Sequence, residues 1–181
     1  HTFFQPSEYQ PGVPPKIVTV PYEEDLEAME EDIASAKKEA HAVVLSLHWG
    51  IHFIPRMIAG YQPIIAKAAF RAGAGLILGH HAHAPKAIGA YEGKICFYSL
   101  GNFIMSSHKT PAQADAHAKR YGITMDPDYP NFTFGTDGKR TLIAKAVITK
   151  QGVQKVSFLP GMIDKQLRPE LFRHDGPRFD E

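Results

Sequence analysis

Apolar residues change their spacing along this chain, first marking helices and buried strands and later hairpins. Between residues 22 and 40, Leu26, Met29, Ile33 and Ala36 recur every three or four positions, the period of one helix face. Acidic residues crowd the start of that stretch and Lys37-Lys38 its end, as a helix dipole favours. The spacing predicts an amphipathic helix whose charges are its solvated face. Val43-Val44-Leu45-Ser46-Leu47 is then almost continuously apolar, which reads as a strand buried on both faces of a sheet. A second helix is expected over residues 61–72, with Pro63 in its first turn and Gly73 as its stop. Residues 76–79 form the next buried strand. Helix, strand, helix, strand is an α/β order, and ligands in such folds gather outside the carboxyl ends of the strands.

Beyond Pro85 the texture is that of hairpins. Residues 87–91 and 94–98 flank the turn Glu92-Gly93, a good β-hairpin pattern, and residues 141–149 and 154–159 meet near Gly152 as a second one. Residues 1–15, rich in proline and aromatics, read as a loop, followed by a short extended segment over 16–20. Residues 106–138 are polar, contain Pro111, Pro127 and Pro130 and show little periodicity; a connection this long reads as a lid, functional loop or insertion. The tail from Leu167 shows no element.

Composition narrows the choices. At 181 residues the chain has the length of one ordinary domain or part of a larger one. Twenty basic against nineteen acidic residues leave almost no net field, which argues against a nucleic-acid or membrane-surface binder. The one cysteine, Cys96, excludes an internal disulfide and reads as a small buried hydrophobe. No stretch approaches the roughly twenty apolar residues of a membrane span. The first residues look like a chain already under way, with no initiator methionine. A cell-envelope or extracellular location is therefore expected where an upstream signal or anchor precedes them, and a cytoplasmic one otherwise.

The chemistry concentrates in histidines at strand ends. Gly79-His80-His81-Ala82-His83 follows one predicted strand, and His48-Trp49-Gly50 closes another. Neutral imidazole is the commonest side-chain metal ligand. Small Gly79 and Ala82 allow a tight bend that brings His80 and His83 toward one point, whereas His81 between them points elsewhere and suits a hydrogen-bonding role. His52 faces the same cavity if the loop after Gly50 folds back. His41 reads as structural at a helix end, and His108, His117 and His174 as exposed. Ser99-Leu100-Gly101-Asn102-Phe103 ends the hairpin, with Asn102 as a short amide able to point at a site. There is no phosphate-binding glycine loop, no CxxC pair and no HExxH helix.

In this order, His48-Trp49-Gly50, Gln62, Gly79-His80-His81-Ala82-His83 and Tyr98-Ser99-Leu100-Gly101-Asn102-Phe103 closely resemble the bacterial capsule-synthesis CapA, or poly-gamma-glutamate biosynthesis, family. That family looks like part of the calcineurin-like metallophosphoesterase superfamily, and the resemblance covers about residues 16–165. It implies an α/β sandwich of two central sheets flanked by helices, with one or two divalent metals (zinc, manganese or iron) at the strand ends. It implies His48, His80 and His83 as metal ligands and Asn102 as site-lining. Two departures stand out. His52 replaces a residue that is commonly acidic, and the family's GD and Asn-Asn-His blocks, which supply the bridging carboxylate, are absent. The chain therefore reads as a single incomplete domain over 1–181, the C-terminal portion of a CapA-like domain, in which the metal site is partial or absent.

Two functions follow. The first is a metal-dependent hydrolase of a phosphoester or γ-glutamyl amide, with His81 and His52 assisting proton transfer and Trp49, Ser99, Asn102 and Arg56 lining the site. Its acidic ligands would come from an N-terminal segment or a partner chain. The second is a non-catalytic component of the cell envelope that holds an anionic polymer in a basic groove of Lys86, Lys94, Lys109 and Arg56.

Overall fold

A computed structural model describes residues 2–4, 17–54, 56–105 and 109–172. The chain runs β1 (Thr2–Phe4), β2 (Ile17–Thr19), α1 (Glu23–Glu39), β3 (Val44–His48), α2 (Tyr61–Ala72), β4 (Leu76–His80), β5 (Ile88–Tyr91), β6 (Lys94–Phe97), α3 (Pro111–Tyr121), β7 (Arg140–Thr149), β8 (Gly152–Ile163) and β9 (Pro169–Leu171). This is the expected α/β fold, with two central sheets flanked by helices, consistent with a metallophosphoesterase-like sandwich. The first sheet has four strands in the order β3-β4-β6-β5, and the second three in the order β7-β8-β9. Strands β3, β4 and β6 are parallel, as a strand–helix–strand crossover through α2 requires. The sheets meet where Gly101 bridges Thr141 and the Leu142 amide donates to the Leu100 carbonyl at 3.1 Å.

The core lies between the first sheet and its helices. Ile33 of α1 and Ala66, Ala69 and Phe70 of α2 pack with Trp49, Ala74, Ile77, Cys96 and Tyr98. Alanines on the buried face of α2 let that helix approach the sheet closely, and Phe70, with Tyr61 and Ile65 partly buried beside it, fills the remaining space. Gly79 holds the tightest point: a Cβ there would stand 2.3 Å from the Tyr98 carbonyl oxygen and 2.6 Å from the indole nitrogen of Trp49. The turn of the first hairpin, Glu92-Gly93, has φ of 50° and 81°, the paired positive angles a two-residue connection needs. Burial drives the Cys96 thiol up to about 12, in keeping with a packing role.

Several expectations give way. β3 is not covered on both faces: it is the outer strand of its sheet, and Val44, Ser46 and His48 are exposed while Leu45 and Leu47 are half-buried against the core. An apolar run can serve an outer strand when only alternate side chains face the core. The tail contains β9, paired with the end of β8, and residues 2–4 pair with β2 rather than forming a loop. Within residues 106–138 lies α3, which begins at a capping box. The Thr110 hydroxyl accepts from the Gln113 amide and the Gln113 side chain accepts from the Thr110 amide, with Pro111 in the first turn.

Candidate functional site

Register places the first two histidines. His48 and His80 are the last paired residues of parallel β3 and β4, so both sit at carboxyl ends on adjacent strands. The chain then leaves β4 in an unusual backbone: His81 has φ 91° and His83 φ 56°. Residues with a Cβ rarely adopt such angles, at a cost of order 1–3 kcal/mol each. Two further positive angles, at Phe53 and Arg56, occur in the facing segment, and the two segments grip each other through the Phe53 amide donating to the Ala82 carbonyl at 3.1 Å. Ala82 and Ala84 are buried, and the alternating His81 and His83 are half-buried.

The resulting arrangement differs from the one the sequence suggests. His81, expected to point away, is central: its Nδ1 lies 2.7 Å from His48 Nε2, and its ring centre lies 3.6 Å from that of His52. His52 also stacks with His83 at 5.8 Å. His80 Nε2 lies 3.1 Å from the Ser46 hydroxyl oxygen. Burial, reinforced by neighbouring imidazoles, lowers the pKa of His52 and of His81 below the ordinary histidine value, keeping both neutral near pH 7.

His83 has the best-defined chemistry. Asn102 is buried, and its amide nitrogen donates to the carbonyls of His83 and Gly138 at 3.0 and 2.9 Å. Its carbonyl oxygen, 2.7 Å from His83 Nδ1, is therefore the acceptor. The proton of neutral His83 accordingly sits on Nδ1, and Nε2 keeps a free lone pair. Phe134 stacks on this ring at 4.4 Å. Ser99 and Trp49 stand behind the site rather than at its surface. Ser99 is buried and its hydroxyl accepts from the Gly101 amide. Trp49 donates to the Tyr98 carbonyl at 3.0 Å and stacks on the Tyr98 ring. Gln62 locks the same corner, taking the Ala59 amide at 2.7 Å.

One participant escapes the sequence reading. His117 on α3, expected to be exposed, is half-buried against Phe53, Tyr121 and Phe134, and its buried Nε2 has no hydrogen-bond partner among the described residues. The signal was present: Ala114, His117, Ala118 and Tyr121 fall on one helical face. His41 is exposed just beyond α1, its backbone carbonyl accepting from Lys37, while His108 and His174 lie outside the described residues. The basic groove does not form. Lys94 starts β6 at the opposite end of the sheet and bonds the Phe70 carbonyl, Lys86 is buried with its ammonium on the Ile54 carbonyl, and Lys109 reaches Thr133. Arg56 lines a cleft beside the histidine loop, whereas Lys94 lines a separate one.

Whether these donors suit a divalent metal can be judged from their geometry. Among the described residues, no three His, Cys, Asp or Glu side chains converge into a group able to hold a metal ion. Two nitrogens on one tetrahedral zinc stand about 3.3 Å apart, given bonds of roughly 2.0–2.1 Å. The His48–His81 separation of 2.7 Å is that of a hydrogen bond. The charges that bear on His52 and His81 come from other imidazoles, and none of them is a carboxylate that would offset a dication. These residues by themselves do not fit the metal centre that the resemblance implies.

Residues 4–107 match the family described as "Bacterial capsule synthesis protein PGA_cap". The chain belongs to that family. Two relatives illustrate the match. One is the PGA biosynthesis protein CapA of Bacillus subtilis (strain 168), 38% identical over 94 residues, which is 50% of this chain and 24% of that protein. The other is the Capsule biosynthesis protein CapA of Bacillus anthracis, 38% identical over 80 residues, 44% of this chain and 19% of that one. The chain thus covers about a quarter or less of these relatives. The PGA_cap match takes in His48, His52 and the 79–83 loop and stops before α3.

Proposed function

We propose that this protein acts in bacterial capsule or poly-γ-glutamate metabolism as a metal-dependent hydrolase of the metallophosphoesterase type, for which these residues supply the histidine wall of the cleft. The observation that carries the reading is His83 at a strand-end bend, its Nδ1 proton fixed by Asn102 and its Nε2 lone pair left free. His48 and His80 are its companions as ligands. His81 and His52, held neutral by their surroundings, are suited to accept a proton from an attacking water or return one to a leaving group. The carboxylates that a dication needs come from outside the described residues. On this reading the chain is the C-terminal portion of a CapA-like domain, with 106–138 a loop or insertion. Its place of work is the cell envelope or the outside of the cell if an upstream signal or anchor exists, and the cytoplasm otherwise.

The test is metal content, by equilibrium dialysis against zinc, manganese and iron, together with hydrolysis of a generic phosphodiester and of poly-γ-glutamate. The isolated chain is expected to bind one metal weakly or none and to turn nothing over. A protein carrying the upstream acidic blocks is expected to do both, and to lose turnover with His83→Ala. Tight two-metal binding with turnover by the isolated chain would sink the partial-site reading. Polymer binding by the longer protein with no metal-dependent hydrolysis would favour the non-catalytic alternative.

A further inference from the structure

Beside the histidine loop lies a cleft of about 420 Å³ lined by Arg56, Ala84, Pro85, Asp137 and Arg140. Its walls are the segments that build the site. Ala84 and Pro85 directly follow His83, Arg56 belongs to the segment that holds the loop through Phe53 and Ala82, and Gly138, beside Asp137, receives the Asn102 amide that also fixes His83. Two guanidiniums and one carboxylate face the same space. Asp137 forms an ion pair with Arg140 three residues on, so one charge is met inside the cleft. Taken together, the lining side chains leave one net positive charge, beside Arg56.

We propose that this cleft is a subsite for a single carboxylate of an acidic polymer, placing the neighbouring bond of that polymer at the histidine loop. The proposal rests on the capsule-polymer reading above and adds to it the residues that select the ligand. Guanidinium groups pair with carboxylates, at best through two parallel hydrogen bonds, and Arg140 already holds a carboxylate in this cleft through one contact to Asp137. One residual positive charge matches one singly charged carboxylate better than a phosphate carrying more. Arg56, Ala84 and Pro85 lie within the stretch that matches the family, and Asp137 and Arg140 beyond it.

The experiment measures anisotropy of a fluorescein-labelled γ-linked glutamate oligomer on the chain without added metal. Inorganic polyphosphate and a neutral glycan serve as competitors. Arg56→Gln alone, on an exposed side chain, and the Arg56→Gln/Arg140→Gln pair are compared with Lys67→Gln on the exposed face of α2, with thermal melts confirming folding. Loss of about tenfold or more with Arg56→Gln, the scale of a charge-assisted bond, and a further loss in the pair, with Lys67→Gln unchanged, is the expected result. Unchanged binding in Arg56→Gln, an equal loss with Lys67→Gln, tighter arginine-dependent binding of polyphosphate, or no binding by the parent chain would each overturn the subsite. Its failure is distinguishable from that of the hydrolase reading: arginine-dependent binding with no hydrolysis by the longer protein spares the subsite, and hydrolysis insensitive to both arginines spares the enzyme.

Discussion

At the scale of single residues, Asn102 has a double duty that the sequence only hinted at. Its position after Leu100-Gly101 suggested an amide aimed at a site, and the structure shows what it is aimed at: two backbone carbonyls and one imidazole nitrogen. Replacing it with alanine strands three polar groups, of which the Gly138 carbonyl bond is buried. Asn102→Ala is expected to cost on the order of 3 kcal/mol in urea denaturation and to shift His83 from a single tautomer to a mixture, read from imidazole ¹⁵N shifts. An unchanged tautomer in the variant would remove Asn102 from the positioning role. Gly79 is legible for a different reason. A glycine after Leu78 suggested a bend, but its decisive property is the absence of a Cβ where the backbone of β6 and the indole of Trp49 close in. Gly79→Ala must push a backbone carbonyl aside, and an overpacking loss of about 3 kcal/mol is expected from the same denaturation measurement.

Elements were legible where one face is buried in a regular period. Helices α1 and α2 and the two hairpins are close to where the apolar spacing puts them, because each buries one face against the core or a partner strand. Helix α3 was missed because its buried face consists of Ala114 and Ala118 with His117 and Tyr121 beside them, a stripe with little hydrophobic contrast. Its start was nevertheless written in Thr110-Pro111 and Gln113. Thr110→Ala is expected to destabilise this helix by about 1 kcal/mol, with hydrogen exchange rising across residues 111–121 and staying constant in the β7–β8 hairpin. A uniform change across both would show that α3 does not open as a separate unit. The misreading of β3 has the opposite cause: five nearly apolar residues look the same whether one or both faces are covered, and only neighbouring strands decide.

For the molecule as a whole, three imidazoles link stability to pH. His52, His81 and His117 all have pKa values lowered in the fold, chiefly by burial. The unfolded chain then binds more protons below about 6.5, the ordinary histidine value. Their contribution is fully present above that pH and is lost as pH falls through the lowered folded values. Urea midpoints are therefore expected to be flat from pH 7 upward and to decline from about pH 6.5 downward. A midpoint insensitive to pH between 5 and 7 would contradict the burial of these rings. The site itself was half legible at this scale. The residue types and their strand-end location could be read in sequence, whereas the pairing of His81 with His48 and of His80 with Ser46 depends on loop backbone angles that no side-chain pattern encodes.

Among the described residues β3 is hydrogen-bonded as a strand on one side only, to β4. That makes one flank of the histidine site a row of backbone donors and acceptors rather than a wall of side chains. Any extended segment laid along it would continue the sheet at a spacing of about 4.8 Å and would be held by main-chain bonds whatever its composition. In the register of the sheet, the residue of such a segment level with His48 and His80 would become the site's next-door neighbour. A segment docked there would set its own charged side chains beside these imidazoles.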